Sequence, residues 1–344
     1  MPDYLISALT TKLPMSHFPV TSSNLSTRHI ADFLKQTYFP NVQVSCRLLK
    51  AGISHTYLIK AREEKFIFRI YALNWRSEVE INEELRLLLH LKENHIPVSY
   101  PLPDTNERFI QSLGAPEGMR LAVMFSYAAG EKQFNFPPDL HFQIGSLMAR
   151  MHLLTQDFHL DRVTYTSQEI LIDSLNHVSE FLPDNTEEMA LMRSMQQFLL
   201  EEFDKADESQ LRKGAVHLDI WFDNLVIDNA NKVTLFDFDF CGNGWLCLDL
   251  AYYILQVHSI ERDPEQCHLK VDNFLKGYES VTAISAEEKR IIPMLGVSLY
   301  FFYLGIQSQR FHDFSNVFFN EVYLKRFINL LVKKYFDTAV VPQH

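Results

Sequence analysis

Across 344 residues no Lys/Arg-rich run occurs, and the formal net charge is −11. Nucleic-acid binding needs clustered positive charge against phosphates, so no nucleic-acid partner is expected. The acidic balance is compatible with a cationic substrate, and equally with simple solubility. The four cysteines, Cys46, Cys241, Cys247 and Cys267, form no C-x-x-C pair. That argues against a zinc site or a disulfide framework and fits a reducing, cytoplasmic setting. The first residues include Asp3 and lack the basic, apolar, small-residue order of a signal peptide, so none is expected. Internal repeats and low-complexity segments are also missing. The uncharged stretch 291–309 is diluted by Pro293, Gly296, Ser298, Gln307, Ser308 and Gln309. It reads as a buried helix of a large lobe rather than a membrane span.

What is present is the composition of a folded protein, 47% hydrophobic and 22% charged, too long for one small core. Residues 1–25 are rich in Ser, Thr and Pro and read as a loosely held lead-in. Ser26-Thr27 then opens a helix with Ile30, Phe33, Leu34 and Tyr38 on one face. Segments 42–49, 55–59 and 65–71 read as strands, 78–93 as a helix broken by the proline-rich 96–103, and 120–127 as a further strand. Beyond residue 137 helical periodicity dominates, with Phe142, Ile144, Leu147, Met148 and Met151 at helical spacing. Asn185 before Glu188, and Ser285 before Glu288, have the form of capping boxes. Two short strands, 224–227 and 233–236, interrupt this half. The expected organisation is a lead-in and helix over 1–40, a sheet-rich lobe over 41–127 and a helical lobe over 128–344, with a hinge near 126–130. That is a bilobal α+β layout.

The segment richest in chemistry runs from His217 to Phe240. Asp219 is followed five residues later by Asn224, and Asn224 thirteen residues later by Asp237. Single Asp and Asn residues in loops usually cap turns. Three of them at this spacing, on a loop followed by a predicted hairpin, supply the parts that phosphoryl transfer needs: a carboxylate beside the attacking hydroxyl, and oxygen ligands for a phosphate-bound metal. In that arrangement Asp219 accepts or orients the hydroxyl proton, and Asn224 and Asp237 hold metal.

These residues resemble the aminoglycoside phosphotransferase and choline kinase superfamily, which includes type II homoserine kinases and bacterial stress-response kinases. Its usual His-Gly-Asp-x-x-x-x-Asn, Asp-Phe-x-Asp and Asp-Leu-Ala segments read here His217-Leu218-Asp219, Asp237-Phe238-Asp239 and Asp249-Leu250-Ala251. Leu218 departs from the usual glycine. The resemblance covers roughly residues 45 to 310 and implies a protein-kinase-like fold that uses ATP and Mg²⁺. It further implies a nucleotide-covering loop at Lys50–Tyr57, where Gly52 lets the backbone approach phosphate and Ser54 or His55 donates to it. Arg69 stands at the position of a phosphate-pairing lysine, with Glu84 as its partner and Glu80 and Glu83 as competitors. Ser126 and Tyr127 fall in the adenine-reading hinge. His217 and Asp249 match scaffold residues, and His152 a packing position. Asp239 joins the metal site or faces solvent.

The sequence therefore predicts a Mg²⁺-dependent kinase that transfers the ATP γ-phosphate to a small-molecule hydroxyl: an amino alcohol, a hydroxy amino acid or an aminoglycoside-like compound. Acceptor selectivity is expected from residues 250–340. Two other readings remain open at this point, a stress-response type Ser/Thr protein kinase and a nucleotide-binding pseudokinase. Only about nine residues separate Asp239 from Asp249, too few for a long substrate-docking loop.

Overall fold

The computed structural model describes residues 18–311 and 318–340. Residues 1–17 of the expected lead-in, and 312–317 of the expected acceptor region, lie outside them. Helix α1 (Thr27–Thr37) precedes strands β1 (Val44–Ala51), β2 (Ser54–Ala61) and β3 (Glu64–Tyr71). Helix α2 (Glu78–Glu93), β4 (Pro101–Leu102), β5 (Ile110–Ala115) and β6 (Gly118–Ser126) follow. The strands form one antiparallel sheet in the order β1-β2-β3-β6-β4, with β5 also paired to β6.

Strand alternation assigns the two faces of this sheet. Tyr57, Ile59, Phe68 and Ile70 are buried against Ile30 and Leu34 of α1. Residues of opposite phase on β2 and β3, Thr56 and Arg69 among them, face the interlobe cleft. Helix α2 packs there through Ile81, Leu85 and Leu88, which belong to the main core. Its start is fixed by a capping box in which Ser77 accepts from the Glu80 N–H and Glu80 accepts from the Ser77 N–H.

The second lobe begins with α3 (Pro138–Thr155). A π-helical turn over Gln168–Asp173 runs into α4 (Ser174–Ser179), and α5 (Glu187–Asp204) follows. Two small antiparallel pairs interrupt the helices. Strand β7 (Lys213–Val216) pairs with β10 (Gly242–Trp245), and β8 (Leu225–Ile227) with β9 (Val233–Leu235). Helices α6 (Cys247–Ile260), α7 (Pro264–Glu279), α8 (Ala286–Gln309) and α9 (Glu321–Phe327), the last continuing in helical turns to Val340, complete the described part of the lobe. Helix α5 is capped by Thr186, one residue later than Asn185, because the Thr186 side chain accepts from the Met189 N–H. The Ser285–Glu288 box at α8 forms as expected. Helix α8 is long and apolar enough to cross a membrane by composition, yet 72% of its most apolar window is buried inside the fold.

Helices α3 and α7 meet backbone to backbone. A Cβ at Gly145 would stand 2.0 Å from the Phe274 carbonyl oxygen, and one at Gly277 2.0 Å from that of Phe142. This approach sets the 2.8 Å contact between His152 on α3 and the Tyr278 hydroxyl on α7, and His152 in turn contacts Asp249 at the start of α6. Gly145→Ala or Gly277→Ala forces the helices apart and is expected to cost about 1–3 kcal/mol in chemical denaturation. Gly114→Ala, where a Cβ meets only the Met119 sulfur at 3.9 Å, is expected to stay within about 0.5 kcal/mol of the parent. Equal effects at the three positions would contradict this packing.

Candidate active site

Strand β7 delivers the chain into His217-Leu218-Asp219, and Asp249 in the first turn of α6 anchors that loop. Its carboxylate accepts the N–H of His217 (2.9 Å) and of Leu218 (2.7 Å), and it lies 3.1 Å from His152 Nε2. Burial pushes the Asp249 pKa up, but the His152 and loop contacts outweigh it, so the carboxyl lies below its usual range. To present both N–H groups to one carboxylate, Leu218 adopts φ +60°, the left-handed region that glycine enters freely. Its side chain is buried in the core. The departure from the family glycine is therefore a strained backbone compensated by apolar burial.

His217 is held neutral, its pKa lowered by burial. Nδ1 accepts the Asp219 N–H at 3.2 Å, and Nε2 lies 3.3 Å from the Phe236 carbonyl, beside Asp237. Asp219 is thereby fixed at the cleft. Tyr252 donates to its Oδ1 and the Asn224 amide to its Oδ2, each at 2.5 Å. Burial, reinforced by the nearby Asp237 charge, raises the Asp219 pKa to about 8, with Tyr252 and Asn224 pulling the other way. A carboxylate raised in this way is better matched to proton transfer near neutral pH than an exposed one.

Strands β8 and β9 return the chain to Asp237, which has φ +66°. Arg69 joins it to α2: Nη1 lies 3.0 Å from Glu84 and Nη2 2.9 Å from Asp237. Burial would lower the pKa of this guanidinium, but Asp237 and Glu84 outweigh it and Arg69 stays charged. Burial also pushes the Glu84 carboxyl up, while Arg69 and Arg162 pull it back. Of the three candidate glutamates, only Glu84 reaches Arg69. Glu80 caps α2, and Glu83 pairs with Arg86.

Two cavities meet at this point. One of about 480 Å³ runs under the sheet, bordered by Ile67, Leu88, Phe125, Tyr127, Ala128 and Phe238. The other, of about 330 Å³, opens toward α6 and α8 and is bordered by Asp219, Trp221, Tyr252, Leu299, Phe302 and Tyr303. Lys50, Thr56, Arg69, Asp223, Asn224 and Asp237 border both. Gly52 and Ser54 border the second, and the Ser54 hydroxyl is buried without a hydrogen-bond partner. The nearest atom to a Cβ at Gly52 would be in the flexible Lys50 side chain, at 3.4 Å, so space alone does not demand glycine there.

Two sequence expectations need correction. His55 shares the phase of Tyr57 and Ile59, so it points to the sheet face opposite the cleft. There it is buried with Nδ1 3.5 Å from Arg120, and it offers nothing to a phosphate. Ser126 borders neither cavity, and its backbone groups are engaged elsewhere. Its N–H donates to the Tyr100 carbonyl at 2.8 Å, and its own carbonyl accepts from the Ser99 hydroxyl at 2.6 Å. Tyr127 does border the larger cavity, with Ala128 next to it.

The donor set fits a magnesium–phosphate complex. Asn224 turns its amide nitrogen to the Asp219 carboxylate and carbonyl, which leaves its carbonyl oxygen as an acceptor at the junction of the cavities. Asp237 supplies a carboxylate there. Among the described residues no group of three or more His, Cys, Asp or Glu side chains converges. A cation on Asn224 and Asp237 would therefore complete its shell with phosphate oxygens and water, the usual habit of Mg²⁺.

A family model described as the phosphotransferase enzyme family matches residues 45–284. The chain belongs to that family. A homoserine kinase from Methylobacillus glycogenes is 27% identical over 75% of this chain and 77% of its own length. Among solved structures, a microcompartment-associated aminopropanol kinase superposes with a TM-score of 0.71 at 21% identity, covering 89% of this chain and 98% of its own. An amicoumacin kinase bound to AMP-PNP, Ca²⁺ and Ami superposes at 0.74 and 18% identity, covering 93% and 96%. These likenesses establish the protein-kinase-like, bilobal α+β fold of this phosphotransferase.

The sequence places Lys50 and Thr56 in the nucleotide-covering loop and Tyr252 in the acceptor region without singling them out, and it gives no sign of Asp223. Thr56 was available from alternation, two residues after Ser54. Tyr252 was available from its place three residues past Asp249, on the next turn of α6. For the loop strain, Leu218→Gly relieves the left-handed penalty but loses the buried side chain, whereas Leu218→Ala loses the packing and keeps the strain. Leu218→Gly is expected to be at least as stable as Leu218→Ala by thermal denaturation, reversing the usual advantage of about 1 kcal/mol for alanine. The ordinary order would contradict a strained loop.

Proposed function

We propose that this phosphotransferase is an ATP- and Mg²⁺-dependent kinase acting on the hydroxyl of a small alcohol that carries an amine. The observation that carries the reading is the junction of two cavities at Asn224, Asp237, Arg69 and Lys50, with Asp219 bordering only the smaller one. The larger cavity takes the nucleotide, with Tyr127 and Ala128 beside the base and Lys50 and Arg69 toward the phosphates, while Ser54 approaches that junction from the smaller cavity. Bound Mg²⁺ would be held by Asn224 and Asp237 and would offset phosphate charge. Asp219 orients the acceptor hydroxyl and takes its proton, while Asn224 and Tyr252 fix the carboxylate in place. Positioning and charge neutralisation then supply most of the rate.

The amine follows from the walls of the smaller cavity. Trp221, Tyr252, Phe302 and Tyr303 line it with aromatic side chains, and the four carboxyl groups of Asp219, Asp223, Asp237 and Asp239 outnumber the two cations, Lys50 and Arg69. Such a box favours an ammonium group over an anion. The relatives named homoserine kinase and aminopropanol kinase agree with a small amine-bearing acceptor. A protein acceptor is disfavoured by the segment between Asp239 and Asp249, which is strand β10 hydrogen-bonded to β7 and provides no docking loop. A pseudokinase is disfavoured by Asp219, Asn224 and Asp237 standing together. Four free cysteines, three of them buried, support a cytoplasmic setting.

The test is Mg²⁺-dependent ATP consumption by the wild type and Asp219→Asn. The panel pairs amino alcohols and hydroxy amino acids with their amine-free counterparts, and adds aminoglycosides and a generic protein. Stimulation is expected from an amine-bearing alcohol and not from its amine-free counterpart, falling by about 10²–10⁴-fold in Asp219→Asn. Equal turnover by the variant, or stimulation by the protein acceptor alone, would overturn the proposal.

A further inference from the structure

Asp239 is the second carboxylate of the Asp237-Phe238-Asp239 segment, and it borders the acceptor cavity. Both of its carboxylate oxygens are nevertheless committed to groups of the first lobe. Trp75 Nε1 donates to Oδ2 at 2.7 Å and Arg76 Nε to Oδ1 at 3.2 Å. Its backbone carbonyl accepts from Arg76 at 2.7 Å and from Arg162 at 2.5 Å. Arg162 in turn donates to the Glu80 carbonyl of α2 at 2.9 Å and lies 3.9 Å from Glu84. Since Glu84 pairs with Arg69, and Arg69 with Asp237, the contacts close a circuit. It runs from Asp237 through Arg69, Glu84 and Arg162 to Asp239, two residues further along the chain. Asp239 is 6% exposed, and the Arg76 and Arg162 side chains are 10% and 1% exposed, so solvent competes little for these bonds.

We infer that Trp75, Arg76 and Arg162 clasp Asp239 to hold the two lobes in register, making Asp239 a positioning residue for the metal ligand Asp237 rather than a ligand itself. The inference rests on the kinase reading. Its physical basis is that Asp237 has a strained left-handed backbone and lies at the end of a short strand. With Arg69 as its one side-chain partner among the described residues, the orientation of its carboxylate depends on what fixes the residues after it. The clasp also ties α2, and with it Glu84, to the same segment, so both ends of the Arg69 bridge are set by one device.

The test uses calorimetric titration of the full-length protein with ADP, with and without Mg²⁺, alongside metal-free thermal unfolding. Trp75→Phe removes one N–H and keeps an aromatic ring. Asp239→Asn keeps the shape and weakens the ion pair. Each is expected to reduce the Mg²⁺-dependent gain in ADP affinity by about 10–100-fold. Metal-free ADP binding, which retains the Arg69 charge, should fall by much less than the Mg²⁺-dependent gain, and the double variant should be little worse than either single one. In metal-free unfolding the two substitutions should likewise be non-additive. If Asp239→Asn loses the Mg²⁺ effect while Trp75→Phe keeps it, Asp239 is a ligand and the clasp is overturned. Full Mg²⁺ gain in both folded variants, or additive losses, would also overturn it. A wild type that binds no ADP under any condition would instead overturn the kinase reading on which the clasp depends.

Discussion

The buried guanidinium of Arg69 is the interaction on which the site depends. One planar group reaches a carboxylate from each lobe, Glu84 at 3.0 Å and Asp237 at 2.9 Å, which a single ammonium does less well because it has no fork geometry. Arg69 is 8% exposed and Glu84 wholly buried, so neither charge is tolerable without the other. Removing one partner of such a pair typically costs about 3–5 kcal/mol, because the survivor stays buried and uncompensated. Strand alternation places Arg69 on the cleft face, and the helical register of α2 places Glu84 toward it. The bridge then fixes how the sheet, α2 and the Asp237 segment sit together.

The loop 217–219 shows the same economy. Asp249 satisfies two backbone N–H groups and His152, and that demand sets the left-handed conformation of Leu218. His217 then locks the Asp219 backbone to the end of β9. Asp219 and Asp237, the proposed base and the proposed metal ligand, are therefore positioned from one buried network. Its far end lies in the close approach of α3 and α7, which supply His152 and Tyr278.

Much of this was legible in the sequence, for identifiable reasons. The spacing Asp219–Asn224–Asp237 encodes a loop and a hairpin, both local structures, and α2 was delimited correctly because its caps and periodicity agree. Glu84 was separable from Glu80 and Glu83 only by the face each presents. Strands β7 and β10 were not legible: they are four residues each, and Gly214, Gly242 and Gly244 weaken their strand character. His55 was misplaced because a glycine-containing loop drew it toward the phosphates, although its phase with Tyr57 and Ile59 assigned it to the other face. The Trp75–Arg76–Arg162–Asp239 contacts join residues separated by 77 to 164 positions, and no local pattern announces them.

The central claim is that Asn224 and Asp237 mark where nucleotide phosphates meet the acceptor. The most direct measurement is a crystal structure with a non-hydrolysable ATP analogue and Mn²⁺, the metal located by its anomalous signal. The account predicts the metal bonded to the Asn224 carbonyl oxygen and the Asp237 carboxylate, with the terminal phosphate facing Asp219 and the base beside Tyr127 and Ala128. A metal on Asp239, or a nucleotide bound outside this cleft, would contradict it.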